Sequence, residues 1–437
     1  MRDRPDSLCR RLLALIFLLA GGLVTGTAAD GAVRRFQFDG AVAKKGVQAV
    51  GAGDLYTAER GYGFEPGLAV EAVRGGVMGS PAFYFTSDVP EGNWRVKATL
   101  CGMPGGGTAV IRAELRRLMA GPVSLKDGEK RTFEFIVNTR NPRIAARQGA
   151  KAGKVRLKAP RETTAEAWAW DDRLTLEING AVLGALEIEP ARVPTIFLLG
   201  DSTVTDQSGE PYNSWGQMLT RFFSPTVAVA NHGESGETYR DSIGRGRLDK
   251  VVSLLQPGDT VLMQFGHNDQ KQAAAGKGGP FTTYPEEIRQ HLVAIRRAGG
   301  IPVIVSPMER RNFDGAGKLA PSLADYARAA RETAAAEGVA FIDLNAMSRP
   351  FYETLGPERS ALAFAAPGGK QDDTHHNSYG SYQLARCVAQ GIVDAKLGIA
   401  RHLRREFRRF DPARPEPPET FAIPSSPQFT NQRPLGD

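Results

Sequence analysis

Two rhythms of apolar and polar positions divide the chain. Up to about residue 189 the apolar residues alternate with polar ones: Phe36 and Phe38; Phe83 and Phe85; Trp94, Val96, Ala98 and Leu100; Phe133, Phe135 and Val137; Leu174, Leu176 and Ile178. A period of two sends successive side chains to opposite faces, so each run reads as a strand with one buried face. Asn179-Gly180 separates the runs 174–178 and 182–188. That dipeptide is favoured where both central residues of a tight turn need positive φ, so a hairpin is expected there. Many short strands with Gly- and Pro-rich turns predict an antiparallel β-sandwich over 30–190.

From Pro194 the rhythm changes. Continuous apolar runs at 196–199, 227–230, 261–265, 301–305 and 340–342 alternate with helix-like stretches at 215–223, 248–255, 285–297, 321–336 and 379–392. Short apolar strands between amphipathic helices predict an α/β domain over 191–400, a parallel sheet covered on both faces. In such sheets, sites form in the loops beyond the carboxyl ends of the strands. The remainder, 401–437, carries five arginines from Arg401 to Arg409 and then seven prolines. It is expected to be an extended or mobile tail.

Composition adds a compartment. Arg2, Arg4, Arg10 and Arg11 precede an apolar run at 12–24, and Thr27, Ala28 and Ala29 supply small residues for cleavage. This reads as a signal peptide over 1–29, too short to span a bilayer comfortably, and predicts a secreted or periplasmic protein without a membrane partner. Of three cysteines, Cys9 leaves with the leader, and the spacing of Cys101 and Cys387 decides nothing about pairing. The net charge of +7 comes without a dense Lys/Arg stripe interleaved with aromatics, so nucleic acid is not an expected partner. All six histidines lie after residue 230, which denies the first half a histidine-based catalytic site. Trp168 and Trp170 sit there at alternating positions; they are core by default, and a sugar-stacking face if exposed.

Polar clusters end each of the first three apolar runs of the second half. They are Gly200-Asp201-Ser202-Thr203, then the glycine-rich "NHGESGETYR" from Asn231, then Gly266-His267-Asn268-Asp269. A fourth cluster, "DDTHHNSYG" from Asp372, opens the last helix. Ser202 at a strand end has two readings, helix N-cap or nucleophile. For acyl transfer, a serine needs a base and the base an orienting acid, and Asp372-x-x-His375 offers both. A developing oxyanion needs fixed donors, for which the Gly236 N–H and the Asn268 amide are candidates. Asp372, His375 and His376 could instead ligate zinc, which would leave Ser202 without a role. Gly-x-Ser-x-Gly is absent around Ser202, so this is not a nucleophile elbow.

These four blocks, in this order over 194–399, resemble the GDSL/SGNH hydrolase superfamily. The forms "LLGDST", "FGHNDQ" and "DDTHHN" are most similar to rhamnogalacturonan acetylesterases. Upstream, "FQFDG" and "ERGYGFEPG" resemble a galactose-binding-like sandwich found on some bacterial members. The resemblance implies a three-layer α/β/α catalytic domain that hydrolyses acetyl esters of pectic polysaccharide with no metal or other cofactor. It also implies roles: Ser202 nucleophile and oxyanion donor, Gly236 and Asn268 further donors, His375 base, and Asp372 its orienter. His267, Glu237 and His376 are candidate substrate contacts. Several relatives carry Gly-Arg-Ser where this chain has Gly236-Glu237-Thr238, which leaves the substrate open among rhamnogalacturonan, acetylxylan, another acetylated glycan and a short-chain lipid ester. A carbohydrate-binding protein without activity is the reading from another class.

Overall fold

The computed structural model describes residues 31–435. The expected signal peptide lies outside the described residues. Among those described, no helix is long and apolar enough to cross a membrane.

The first half is a two-sheet, largely antiparallel arrangement. One sheet has seven strands, running Lys130–Thr139, Gly92–Cys101, Val182–Pro190, Arg34–Gln37 and Gln48–Ala49, with Gly76–Gly79 and Val70–Val73 beside them. The other runs Tyr62–Phe64, Ala82–Asp88, Arg173–Asn179, Gly107–Ala113 and Arg117–Leu125. Inward positions from both sheets form one core that includes Phe36, Phe85, Trp94, Val96, Leu100 and Leu176. Phe85 meets Phe36 and Phe38 edge-on, at ring distances of 5.0 and 5.2 Å, a geometry that suits the ring quadrupoles.

The expected hairpin at Asn179-Gly180 is not there. Arg173–Asn179 pairs with Ala82–Asp88 and Gly107–Ala113, whereas Val182–Pro190 pairs with Gly92–Cys101 and Arg34–Gln37. The tight turn forms, with Gly180 at φ +68°, but it carries the chain from one sheet to the other. Buried along nearly its whole length, Arg173–Asn179 fills a central place with a partner on each side. A turn signal fixes the local reversal, not which sheet the next strand joins.

The second half is a five-stranded parallel sheet in the order Ala228–Asn231, Thr195–Gly200, Thr260–Gln264, Ile301–Val305, Ala340–Ile342. Each strand lies within two residues of its expected bounds. Helices cover both faces: Trp215–Leu219 and Ser378–Asp394 share a core cluster with Ile196 and Leu198, while Arg247–Leu254 and Thr283–Arg297 pack with Phe197 and Leu199. Alternate residues of one strand thus feed two apolar layers, which makes three layers in all. Strand order reverses around Thr195–Gly200, and a crevice forms at the carboxyl ends there.

The two halves share structure. Leu118 and Val110 of the sandwich lie in the same apolar cluster as Ile196, Trp215 and Met218. Thr220 Oγ1 donates to the Leu118 carbonyl at 2.7 Å and Gln217 Nε2 to that of Leu115 at 2.6 Å. Arg117 Nε lies 3.4 Å from Asp206 Oδ2, with both side chains 1% exposed. The C-terminal stretch, expected to be an extended or mobile tail, is laid along both halves. Ser426 Oγ donates to Glu177 Oε2 at 2.6 Å, and the Thr430 N–H donates to the Glu210 carbonyl at 2.8 Å. Cys101 and Cys387 are both buried free thiols.

Candidate active site

The serine turn explains itself from its neighbours. Gly200 ends its strand where a Cβ would lie 2.6 Å from the Gln264 carbonyl and closer still to Val204, so only glycine lets the turn fold back. Asp201 then ties the turn together, accepting from the Thr203 N–H at 3.0 Å and Thr203 Oγ1 at 2.7 Å. Burial opposes the Asp201 charge, but His267 and the Thr203 donors hold the carboxyl below its ordinary value. No helix follows directly. The next helix begins at Trp215 and is capped by Ser214, whose Oγ accepts from the Gln217 N–H at 3.1 Å. Ser202 is therefore not a helix cap.

Its hydroxyl points at His375. Ser202 Oγ and His375 Nε2 are 2.8 Å apart, and His375 Nδ1 lies 2.9 Å from Asp372 Oδ2. The other Asp372 oxygen accepts from the backbone N–H groups of Thr374 at 2.8 Å and His375 at 2.9 Å. Burial works against the Asp372 charge, yet His375, Arg433 and these donors hold its carboxyl well below the usual carboxylate range. The loop is pinned on both sides: the Asp372 N–H donates to the Ala365 carbonyl, and Asn377 caps the helix Ser378–Asp394 through the Gly380 N–H. Ser202, Asp372 and His375 are 3%, 2% and 1% exposed, a setting in which charge and hydrogen bonds act with little solvent screening.

The two expected donors lie on the loops that follow Ala228–Asn231 and Thr260–Gln264, the strands on either side of Thr195–Gly200. Gly236 has φ +73°, a conformation side-chain-bearing residues rarely adopt. Asn268 Nδ2 donates to the Glu237 carbonyl at 3.1 Å, which fixes the amide and leaves a second N–H on the same nitrogen. Glu237, between the donors, is held by Arg247 Nε at 2.6 Å.

Three residues expected to meet substrate are taken up internally. His267 is 1% exposed with Nδ1 3.2 Å from Asp201 Oδ2. Glu237 is fully buried beside Arg247. His376 Nε2 turns to the Tyr352 hydroxyl at 2.7 Å, and its ring packs 4.2 Å from that of Phe364. The two adjacent histidines thus direct their Nε2 atoms to different partners, which removes the basis for reading Asp372, His375 and His376 as one ligand set.

Burial pushes His376 down to about 3 and His291 to about 4, so both stay neutral in the fold. A free histidine titrates near 6.5, so unfolding takes up protons below that value. The contribution of these two histidines to stability is accordingly full above pH 6.5 and falls as the pH drops toward 4. His291→Gln should flatten that fall by about 2 kcal/mol between pH 7 and 4.5, read from denaturant midpoints. An equally steep fall in the variant would remove His291 from the account.

Sequence reasoning missed other participants. Arg433, from the C-terminal stretch, grips Asp372 with Nε at 2.8 Å and Nη2 at 3.0 Å. Leu435 lies against Gly236, where a Cβ would meet its backbone at 3.2 Å. Gln207 Nε2 donates to the Ser202 carbonyl at 2.6 Å, and Arg161 holds Gln207 Oε1 at 3.1 Å. The sandwich side also supplies Lys158, which donates to the Ser235 carbonyl. None of these lies in a motif. Trp168 lies within a short 3-10 turn, Ala167–Ala169, and Trp170 directly follows it, so neither is on a strand. Trp170 is buried under Arg140, whose guanidinium carbon is 4.6 Å from the ring centre, and Trp168 packs edge-on against Tyr84. Among the described residues, Glu162, Glu166 and Glu234 place carboxylate oxygens within 4.8 Å of one another. Arg161 Nε approaches Glu166 at 2.5 Å and Arg247 Nη2 approaches Glu162 at 2.7 Å, so the protein itself supplies cations to this cluster.

Residues 198–381 match the GDSL-like lipase/acylhydrolase family. The chain is 34% identical over 219 residues to rhamnogalacturonan acetylesterase RhgT of Bacillus subtilis, covering 48% of this chain and 93% of that protein. It is 31% identical over 218 residues to the probable rhamnogalacturonan acetylesterase YesY of the same organism, covering 48% and 98%. Uncharacterized esterase YxiM, also from B. subtilis, is 26% identical over 407 residues, covering 88% of this chain and 97% of its own. An α/β/α domain with a serine, a histidine and an aspartate in line at its sheet edge, and this degree of identity to RhgT, place the chain in the GDSL-like lipase/acylhydrolase family, as a homologue of the rhamnogalacturonan acetylesterases.

Proposed function

We propose that this protein is an exported serine esterase that removes acetyl groups from an acetylated polysaccharide, with rhamnogalacturonan as its substrate. The observation that carries the reaction type is the unbroken line from Ser202 Oγ through His375 to Asp372. The substrate rests on the names of RhgT and YesY, and export on the leader residues read from the sequence.

In this reading Ser202 Oγ attacks the acetyl carbonyl carbon while His375 Nε2 takes its proton. Asp372 holds the imidazole through Nδ1 and stabilises it once charged. The oxyanion forms between the backbone N–H groups of Ser202 and Gly236 and the Asn268 amide. Collapse breaks the bond to the sugar oxygen, which leaves with the proton from His375 and gives an acetyl-Ser202 ester. Water, deprotonated by His375, then attacks that ester and acetate departs, restoring the serine.

Acetate release from acetylated rhamnogalacturonan, acetylxylan and triacetin tests the substrate. Rhamnogalacturonan should give a kcat/KM at least about tenfold above the others, a difference of about 1.4 kcal/mol in transition-state binding. A preference for acetylxylan or triacetin of that size would replace the substrate and keep the chemistry.

A further inference from the structure

The peptide linking Ser235 to Gly236 has two working ends. Its N–H, on Gly236, is a donor that the proposed mechanism aims at the oxyanion. Its carbonyl, on Ser235, accepts from the Lys158 ammonium. Lys158 belongs to the segment between Gly153–Lys154, part of a separate two-stranded ribbon, and the sandwich strand Arg173–Asn179, 77 residues before its partner. Its side chain is 12% exposed and its Nζ lies 3.8 Å from Glu237 Oε1. A cation on the carbonyl oxygen of a planar peptide holds the plane in one orientation and draws electron density from the N–H at the other end.

The lysine is itself held. Its backbone N–H donates to Glu162 Oε2 at 2.7 Å, and that oxygen also receives Arg247 Nη2 at 2.7 Å. The same Arg247 donates to Glu237 Oε1 at 2.6 Å, and the Glu237 carbonyl receives the Asn268 amide at 3.1 Å. The Ser235–Gly236 peptide and the Asn268 amide are thereby tied to one buried cluster built from both halves of the chain.

We propose that Lys158 is a positioning residue for ester hydrolysis: by binding the Ser235 carbonyl, it orients and polarises the peptide that presents the Gly236 N–H to the oxyanion. The sandwich is then a working wall of the site. This rests on the esterase reading above, with Gly236 as an oxyanion donor.

The test uses the full chain with 4-nitrophenyl acetate and compares Lys158→Met, Lys158→Gln and Lys158→Arg with Asn268→Ala. Losing a direct oxyanion donor typically costs about 10²- to 10³-fold in kcat, and Asn268→Ala should fall there. Lys158→Met acts through another group and should lower kcat and kcat/KM together by about tenfold, with KM within about twofold, since the contact matters only as charge develops. Lys158→Arg should recover most of the loss, and Lys158→Gln, a neutral donor, part of it. Affinity for methylboronic acid, which adds to a serine as a tetrahedral mimic, should fall in parallel with kcat. Unchanged kcat in folded Lys158→Met or Lys158→Gln beside a damaged Asn268→Ala overturns the proposal and leaves the esterase reading intact. A rise in KM alone, or no recovery by arginine, overturns it too. Full activity in Ser202→Ala removes the esterase reading and this proposal together.

Discussion

Ser202→Ala is expected to lower kcat for 4-nitrophenyl acetate by a factor on the order of 10⁴ to 10⁶ while leaving the fold in place. The size follows from how such a line works: serine, histidine and aspartate act as one unit, and removing the nucleophile costs about as much as removing all three. What survives is the stabilisation by the remaining donors. The fold should tolerate the change because the alanine keeps the backbone. The lost contact to His375 Nε2 at 2.8 Å is a single hydrogen bond, worth about 1 kcal/mol. Initial rates with matched melting curves decide the matter. More than about a tenth of wild-type activity in a well-folded variant would end the case for a serine nucleophile.

Arg247→Leu carries the largest expected effect on stability, a loss of about 3 to 5 kcal/mol. The guanidinium is 1% exposed and joins Glu237 at 2.6 Å to Glu162 at 2.7 Å, both fully buried. Leucine fills much of the volume but removes the close cation from both carboxylates, leaving Glu237 with Lys158 Nζ and Arg245 Nε, each at 3.8 Å. The pH dependence has a definite sign. Buried carboxylates that lose a close cation have raised folded-state values, so the variant takes up protons on folding as the pH falls, and the penalty shrinks from pH 8 to pH 5. Urea midpoints at the two values measure this. A penalty independent of pH would mean that lost packing against Trp170, 5.5 Å from the guanidinium, is the cause instead.

How much of this was legible beforehand differs by element. The parallel strands were, because each is a short apolar run buried on both faces and bounded by turn residues. The line of Ser202, His375 and Asp372 was, because each sits in a compact polar block at a strand or helix end. The helix Leu344–Arg359 was not, since Pro350, Gly356 and Pro357 interrupt its pattern. Nor was the fate of Glu237, for its partner Arg247 carries no motif and becomes a neighbour only through folding. Lys158 and Arg433 reach their partners across 77 and 61 residues. Contacts of that range leave no period in the chain and no local composition to read.

The C-terminal stretch has a practical side. Its course from Ser426 along Glu210 to Arg433 on Asp372 brings Leu435 against Gly236. Whatever the chain carries behind Leu435, a histidine tag, a fluorescent protein or an immobilising linker included, sets out from beside Gly236, the donor proposed for the oxyanion. Its bulk would then compete with a polymeric substrate far more than with a small aryl ester. The ratio of those two rates, compared between a tagged protein and the same protein after tag removal, would register that crowding directly.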